Sequence, residues 1–206
     1  MASSQTLSPQ SDADAVAEAK RAARAAARAV RSGIDPNGAG EAVAKLVLES
    51  FADRLAPELI VSAYWPRGDE LDTRPILRAL AARGIRTCLP VVAGRGWPLL
   101  FKLWRDGHPL VPGGFGVMEP MAEAPVVRPD LLLVPLLAWD RQGYRLGYGA
   151  GYYDRTLEAL RLEGPPVVAA GIGYAAQELP AVPRDGYDQR LDWIVTEQAA
   201  VRISKD

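Results

Sequence analysis

The stretch DLLLVPLLAWDRQGYRLGYGAGYYDRTLEAL, residues 130–160, reads as a buried strand, a glycine-rich turn and a helix. Its opening, DLLLVPLLAWD (130–140), is an apolar run closed by an aspartate at each end. The run does not alternate with polar residues, which marks a strand covered on both faces of a parallel sheet. From about Tyr152 to Leu162 the spacing turns helical. Between strand and helix, Gly147, Gly149 and Gly151 take alternate positions in a loop spanning 143–151. Fixing a glycine costs more conformational entropy than fixing any other residue, so three in five positions imply a use.

The same alternation extends outward. Asp12 to Arg31 is rich in Ala, Arg, Glu and Lys, predicts a helix, and is stopped by Gly33. EAVAKLVLESFADRL (41–55) continues helical spacing. LIVSAYW (59–65) and RTCLPVV (86–92) read as strands, with a helix between them capped by Asp72-Thr73 and ended by Gly84. That unit closes as a right-handed parallel crossover. PLLFKLW (98–104) is an antiparallel neighbour, because GRG is too short for a crossover. DGHPLVPGGFGVMEP (106–120) reads as a loop, and PVVAAGIGY (166–174) and LDWIVTE (191–197) as further strands. The class is α/β, a mostly parallel sheet with helices on both faces. A single domain is expected over 12–206, preceded by a mobile Ser-, Gln- and Pro-containing arm over 1–11.

With 206 residues the chain can bury one sizeable core. A formal net charge of -1 gives no global attraction to nucleic acid or an anionic membrane. The lone Cys88 excludes an internal disulfide framework and reads as core filler in a reducing compartment. No apolar run reaches the ~20 residues of a membrane helix. MASSQTLSPQSDAD has no apolar signal region, so a cytoplasmic protein is expected.

A loop beyond the carboxyl end of a buried strand is where open α/β sheets bind ligands. Alternate glycines let backbone N–H groups converge, and the following helix adds its positive end. Arg145 at the entry offers a fork of donors to phosphate oxygens. Asp154, one turn into the helix, offers a carboxylate to Mg²⁺ beside a phosphate. The residues themselves reach an anion site at a strand tip. They leave open the alternative of a tight turn with close strand–helix packing. Neither a P-loop nor a dinucleotide fingerprint is present.

The segment 130–160 resembles the signature of the 5-formyltetrahydrofolate cyclo-ligase family. WPRGDELDTRPILRAL, LPVVAGRG, PLVPGGFGVMEP and LDWIVTE follow in the family's order, so the resemblance spans roughly residues 18–204. It implies a three-layer α/β/α fold like that of the NagB and CoA-transferase proteins. It also implies action on two small molecules, 5-formyltetrahydrofolate and ATP, with Mg²⁺; a monomer is the default expectation. The implied reaction closes the folate ring to 5,10-methenyltetrahydrofolate and releases ADP and phosphate through a phosphorylated formyl intermediate.

Residue by residue, the resemblance places ATP on Lys20 and Arg24 of the first helix, with Arg21, Ala22 and Ala23 between them. ATP also meets the loop: Arg145, Leu146, Gly147, Tyr148, Gly149, Ala150, Gly151, Tyr152 and Tyr153. Arg145 and Tyr152 are the catalytic candidates. Folate is implied at Glu70, whose carboxylate suits the adjacent N–H donors of a pterin, and at Trp65 and Arg24. The loop positions Tyr148, Gly149, Ala150, Gly151 and Tyr152 lie near the reacting groups. Asp154 and Asp192 are the implied magnesium ligands. Phe115, Trp104 and Trp97 are candidate stacking partners, whereas Asp69, Arg28, Arg31 and His108 read as surface residues.

Two positions depart from the family pattern. Ala150 stands where the family commonly has Gly or Lys, so phosphate charge must come from Arg145, Lys20 and Arg24. Tyr187-Asp188 stands where the family often has His-Asp. The competing reading is a paralogue that keeps the ATP loop and acts on, or only binds, another small molecule. Glu70, Trp65 and the 106–120 segment favour folate.

Overall fold

A computed structural model describes residues 9–204, apart from the side chains of residues 9–11 and 115. Of the arm expected over 1–11, the first eight residues fall outside the described residues. The first helix, α1 (Pro9–Ser32), starts earlier than the composition predicts, because Pro9 carries a preset helical φ into the first turn. After it come α2 (Ala39–Ser50), β1 (Ile60–Ser62), α3 (Arg74–Ala81), β2 (Arg86–Val92) and β3 (Leu99–Leu103). Next are β4 (Leu110–Pro112), β5 (Met118–Pro120), β6 (Val126–Val127) and β7 (Leu131–Pro135). A short pair, β8 (Ala138–Trp139) and β9 (Arg145–Leu146), leads into α4 (Tyr152–Leu162). The chain closes with β10 (Val168–Ile172), β11 (Trp193–Val195) and β12 (Ala200–Arg202).

Eight strands form one sheet in the order β12-β11-β10-β7-β1-β2-β3-β6. The five from β11 to β2 run parallel, and antiparallel strands close both edges. Strand β7 shows why its sequence lacks alternation. Leu131 and Leu133 face α2 and α3, in a cluster with Val43, Val47, Ile76 and Leu80. Leu132 and Val134 face the opposite cluster, which includes Leu157 of α4. Each such leucine contributes about 2 kcal/mol of transfer free energy, so both faces must be covered. No helix among the described residues is long and apolar enough to cross a membrane.

Four expectations are corrected. The apolar run 130–140 is not one strand: it leaves the sheet after Pro135, and Leu137 and Ala138 join a third cluster under α1 with Ala27, Leu146 and Val182. Helix α2 stops at Ser50, although helical spacing runs on, because Phe51 turns out of the helix into the core edge-on to Trp193. The N-cap of α3 is Thr73, but it makes no side-chain cap bond: its hydroxyl donates to the Tyr64 carbonyl, while Asp72 Oδ1 accepts from the Arg74 N–H. Segment 106–120 is no plain loop. It folds as the β4–β5 hairpin, tied by the Glu119 carboxylate to the N–H of Val92 at the carboxyl end of β2.

Candidate functional site

Three segments meet at the carboxyl edge of the parallel strands: α1, the glycine loop that follows β7, and residues 65–70 after β1. Helix α1 lies there through one stripe, Val16, Ala17, Lys20, Ala23, Arg24, Ala27 and Arg31, while Arg21, Ala22 and Arg28 stay exposed. The small alanines let the helix approach, and the three cations among them reach past it. Among the described residues Arg21 pairs with Glu18 of its own helix, and both it and Ala22 are exposed.

Arg24 is held at the loop itself. Its Nε donates to the Gly147 carbonyl at 2.9 Å. Its guanidinium carbon sits 3.3 Å from where a Cβ on Gly149 would be, and Gly149 has φ 101°. A side chain at Gly149 would be strained and would displace Arg24. Gly147 differs: a Cβ there would meet nothing within 4 Å, and its φ is ordinary. Neither packing nor backbone conformation demands that glycine, so what it keeps clear is the approach from solvent.

Arg31, read from sequence as a surface residue, is 6% exposed. It donates to the Tyr148 hydroxyl at 2.6 Å and to Asp69 Oδ1 at 2.5 Å. Asp69 is therefore a partner of α1. Tyr148 also lies against Arg67, whose guanidinium is 5.4 Å from the ring centroid. Burial pushes the Tyr148 hydroxyl well above the ordinary tyrosine value, and the charge of Glu70 and a hydrogen bond with it push the same way. Tyr148 stays protonated, with Arg31 on its hydroxyl and the charge of Glu70 nearby. Tyr153 is raised first by burial and then by Glu70, and its hydroxyl is buried with no hydrogen-bond partner among the described residues. Glu70 accepts from the Arg67 N–H, and its charge bears on both tyrosines. Trp65 is half-buried, edge-on to Trp104 at 5.5 Å.

The remaining expected residues divide. Arg145 is not an exposed donor at the loop entry. It is 6% exposed, and it donates to Asp154 Oδ1 and to the Gln189 carbonyl, each at 2.8 Å. It acts as a strut under the loop. The Leu146 side chain is core. Tyr152 and Tyr153 pack on the cluster beneath α4, and Ala150 is exposed. Trp104 is buried with its indole N–H on the His108 carbonyl, so it fills core and stacks on no ligand. Trp97 is exposed, and the Phe115 side chain lies outside the described residues. His108 is a surface residue beside Arg105.

Lys20 bridges Asp185 and Asp188, at 2.6 Å from each. Burial opposes its charge, but the two carboxylates outweigh that and raise it above the ordinary lysine value. The departure Tyr187-Asp188 is therefore part of a latch on α1, with Tyr187 itself exposed.

The two carboxylates expected as magnesium ligands each have partners of their own. Asp154 Oδ1 accepts from Arg145 and from the Gln189 N–H. Asp192 stands at the amino ends of β10 and β11, where Oδ2 accepts from the Ala169 N–H and pairs with Arg161. Among the described residues no group of three or more His, Cys, Asp or Glu could hold a metal ion. Two residues at the site escaped the sequence reading. Arg31 had a signal, its spacing of seven from Arg24 on the inner stripe. Arg155 had none, and in the fold its Nη2 donates to the Ala150 carbonyl at 2.8 Å.

Residues 16–197 match the model of the 5-formyltetrahydrofolate cyclo-ligase family. A relative so named from Mycolicibacterium smegmatis is 38% identical over 133 residues, 61% of this chain and 68% of that protein. Another, from Escherichia coli (strain K12), is 35% identical over 145 residues, 66% of this chain and 76% of that protein. The NMR structure of a 5,10-methenyltetrahydrofolate synthetase from Aquifex aeolicus superposes with a TM-score of 0.74 at 28% identity. It covers 91% of this chain and 94% of its own.

Proposed function

The chain belongs to the 5-formyltetrahydrofolate cyclo-ligase family, and from that premise we propose that it uses ATP to close 5-formyltetrahydrofolate to 5,10-methenyltetrahydrofolate. The observation that carries this reading is the meeting of three elements at Tyr148. Arg31 of α1 donates to the Tyr148 hydroxyl, Arg24 of α1 donates to the carbonyl of the preceding Gly147, and the charge of Glu70 bears on Tyr148. A nucleotide side and an acidic, tyrosine-lined side therefore adjoin.

In this reading the triphosphate lies along the open face of Gly147 and Gly149, with Arg24 supplying charge. The pterin presents its adjacent N–H donors to Glu70, and the protonated Tyr148 supplies a hydroxyl donor to its acceptors. The formyl oxygen then bonds to the γ-phosphorus as the bond to the ADP oxygen breaks. N10 adds to the formyl carbon, the carbon–oxygen bond breaks, phosphate departs, and N10 loses its proton. An amide oxygen leaves poorly and a phosphate leaves well, so the chain's work is alignment and charge neutralisation. Magnesium would arrive on the triphosphate oxygens. Of the two expected carboxylates only Asp154 is near the loop, with one oxygen already accepting from Arg145 and Gln189.

The test is purified protein with 5-formyltetrahydrofolate, ATP and Mg²⁺, followed by methenyltetrahydrofolate absorbance. Product formed only with ATP supports the reading. Nucleotide binding without folate turnover makes the chain a paralogue with another small-molecule substrate.

A further inference from the structure

Five cations gather where α1 meets the glycine loop, and their charges are not equally available. Lys20 is committed to Asp185 and Asp188, Arg31 to Asp69, and Arg145 to Asp154. The hydrogen bonds that Arg24 and Arg155 make among the described residues go to backbone carbonyls, of Gly147 at 2.9 Å and Ala150 at 2.8 Å. Neither has an ion pair among the described residues. Arg24 lies over Gly149 and Arg155 against Gly151, two residues further along the loop. There, Arg155 Nη1 is 2.6 Å from where a Cβ would be built. Arg155 also lies over the Tyr152 ring at 5.3 Å, and its Nε is buried with no hydrogen-bond partner among the described residues. A partly desolvated guanidinium without a counter-charge is unfavourable unless an anion completes it.

We propose that Arg155 is a triphosphate-binding residue, forming with Arg24 a two-guanidinium clamp across the glycine loop. The inference rests on the reading of that loop as a nucleotide site. It answers the question posed by Ala150, whose methyl group carries no charge. Lys20 and Arg145, expected from sequence to make up that charge, are already balanced by carboxylates. A guanidinium reaching back from the first turn of α4 supplies it, and its planar fork fits two phosphate oxygens at once.

The experiment measures Kd for the non-hydrolysable imidodiphosphate analogue of ATP and, separately, for 5-formyltetrahydrofolate. Wild type, Arg155→Met and Arg155→Lys are compared. Arg155→Met should weaken the analogue by about 10- to 100-fold, the loss of a charge-assisted hydrogen bond, and leave folate within about twofold. Arg155→Lys keeps a charge and a donor for the Ala150 carbonyl, so it should fall between and guards against a folding defect. Wild-type analogue affinity in Arg155→Met overturns the assignment. Equal loss of both ligands also overturns it, leaving Arg155 as a support for the loop carbonyl. A wild-type protein that binds folate but not the analogue overturns the nucleotide reading, and this assignment with it.

Discussion

The Arg31 guanidinium donates a 2.6 Å hydrogen bond to the Tyr148 hydroxyl across 117 residues of chain. It fixes the end of α1 to the middle of the glycine loop, where the charge of Glu70 bears on Tyr148. Arg31→Met should cost about 2 kcal/mol and Tyr148→Phe about 1 kcal/mol in urea unfolding, since each strands a buried polar partner. The double variant should cost about 1 kcal/mol less than the sum, because the two changes remove one shared bond. Strict additivity would show that the two side chains touch without supporting each other.

The Lys20 latch has a pH window that follows from its partners. Lys20 is raised, so its contribution is full below the ordinary lysine value and is lost as pH rises through the folded one. Asp185 is lowered, chiefly by its hydrogen bond to Lys20, so its contribution holds above the ordinary aspartate value and is lost as pH falls. Both signs leave the latch intact near neutrality. Lys20→Met should melt lower than wild type by about 2–4 °C at neutral pH, as for a partly exposed ion pair. The gap should narrow below about pH 4, as pH falls from the ordinary aspartate value through the lowered one of Asp185. Thermal melts of both proteins from neutral to acid pH check this, and an unchanged gap in acid would mean the loss is packing alone.

The strand–loop–helix order around β7 and α4 was legible because it is written in apolar continuity, glycine placement and helical spacing, all local properties. The exit of the chain from the sheet after Pro135 was not. Leu137 and Ala138 are as apolar as the strand before them, yet they serve the cluster under α1. The same limit explains Arg145. A sequence shows a cation beside a glycine loop, but not that Asp154 and the Gln189 carbonyl will claim it. Asp192 reads as an acidic residue at a strand edge, and only the sheet topology puts it at the amino ends of β10 and β11, away from the loop. Local chemistry was visible, whereas pairing across the chain depends on the fold.

Gly147 separates the two uses of glycine left open by the sequence. A turn or packing role predicts that alanine is harmful to folding. Yet a Cβ at Gly147 meets nothing within 4 Å, and its φ lies outside the left-handed region. Gly147→Ala should therefore leave stability unchanged or raise it by about 0.4–1 kcal/mol, through the lost entropy of the unfolded chain. Gly149→Ala should destabilise, since φ 101° strains an alanine and Arg24 lies 3.3 Å from the new methyl group. If Gly147 keeps the approach clear for a phosphate, Gly147→Ala should be a folded protein with cyclo-ligase turnover reduced about tenfold or more, as for a misplaced substrate. Calorimetry and the turnover assay on the same samples decide it. A Gly147→Ala protein as active as wild type would place the triphosphate away from this face of the loop.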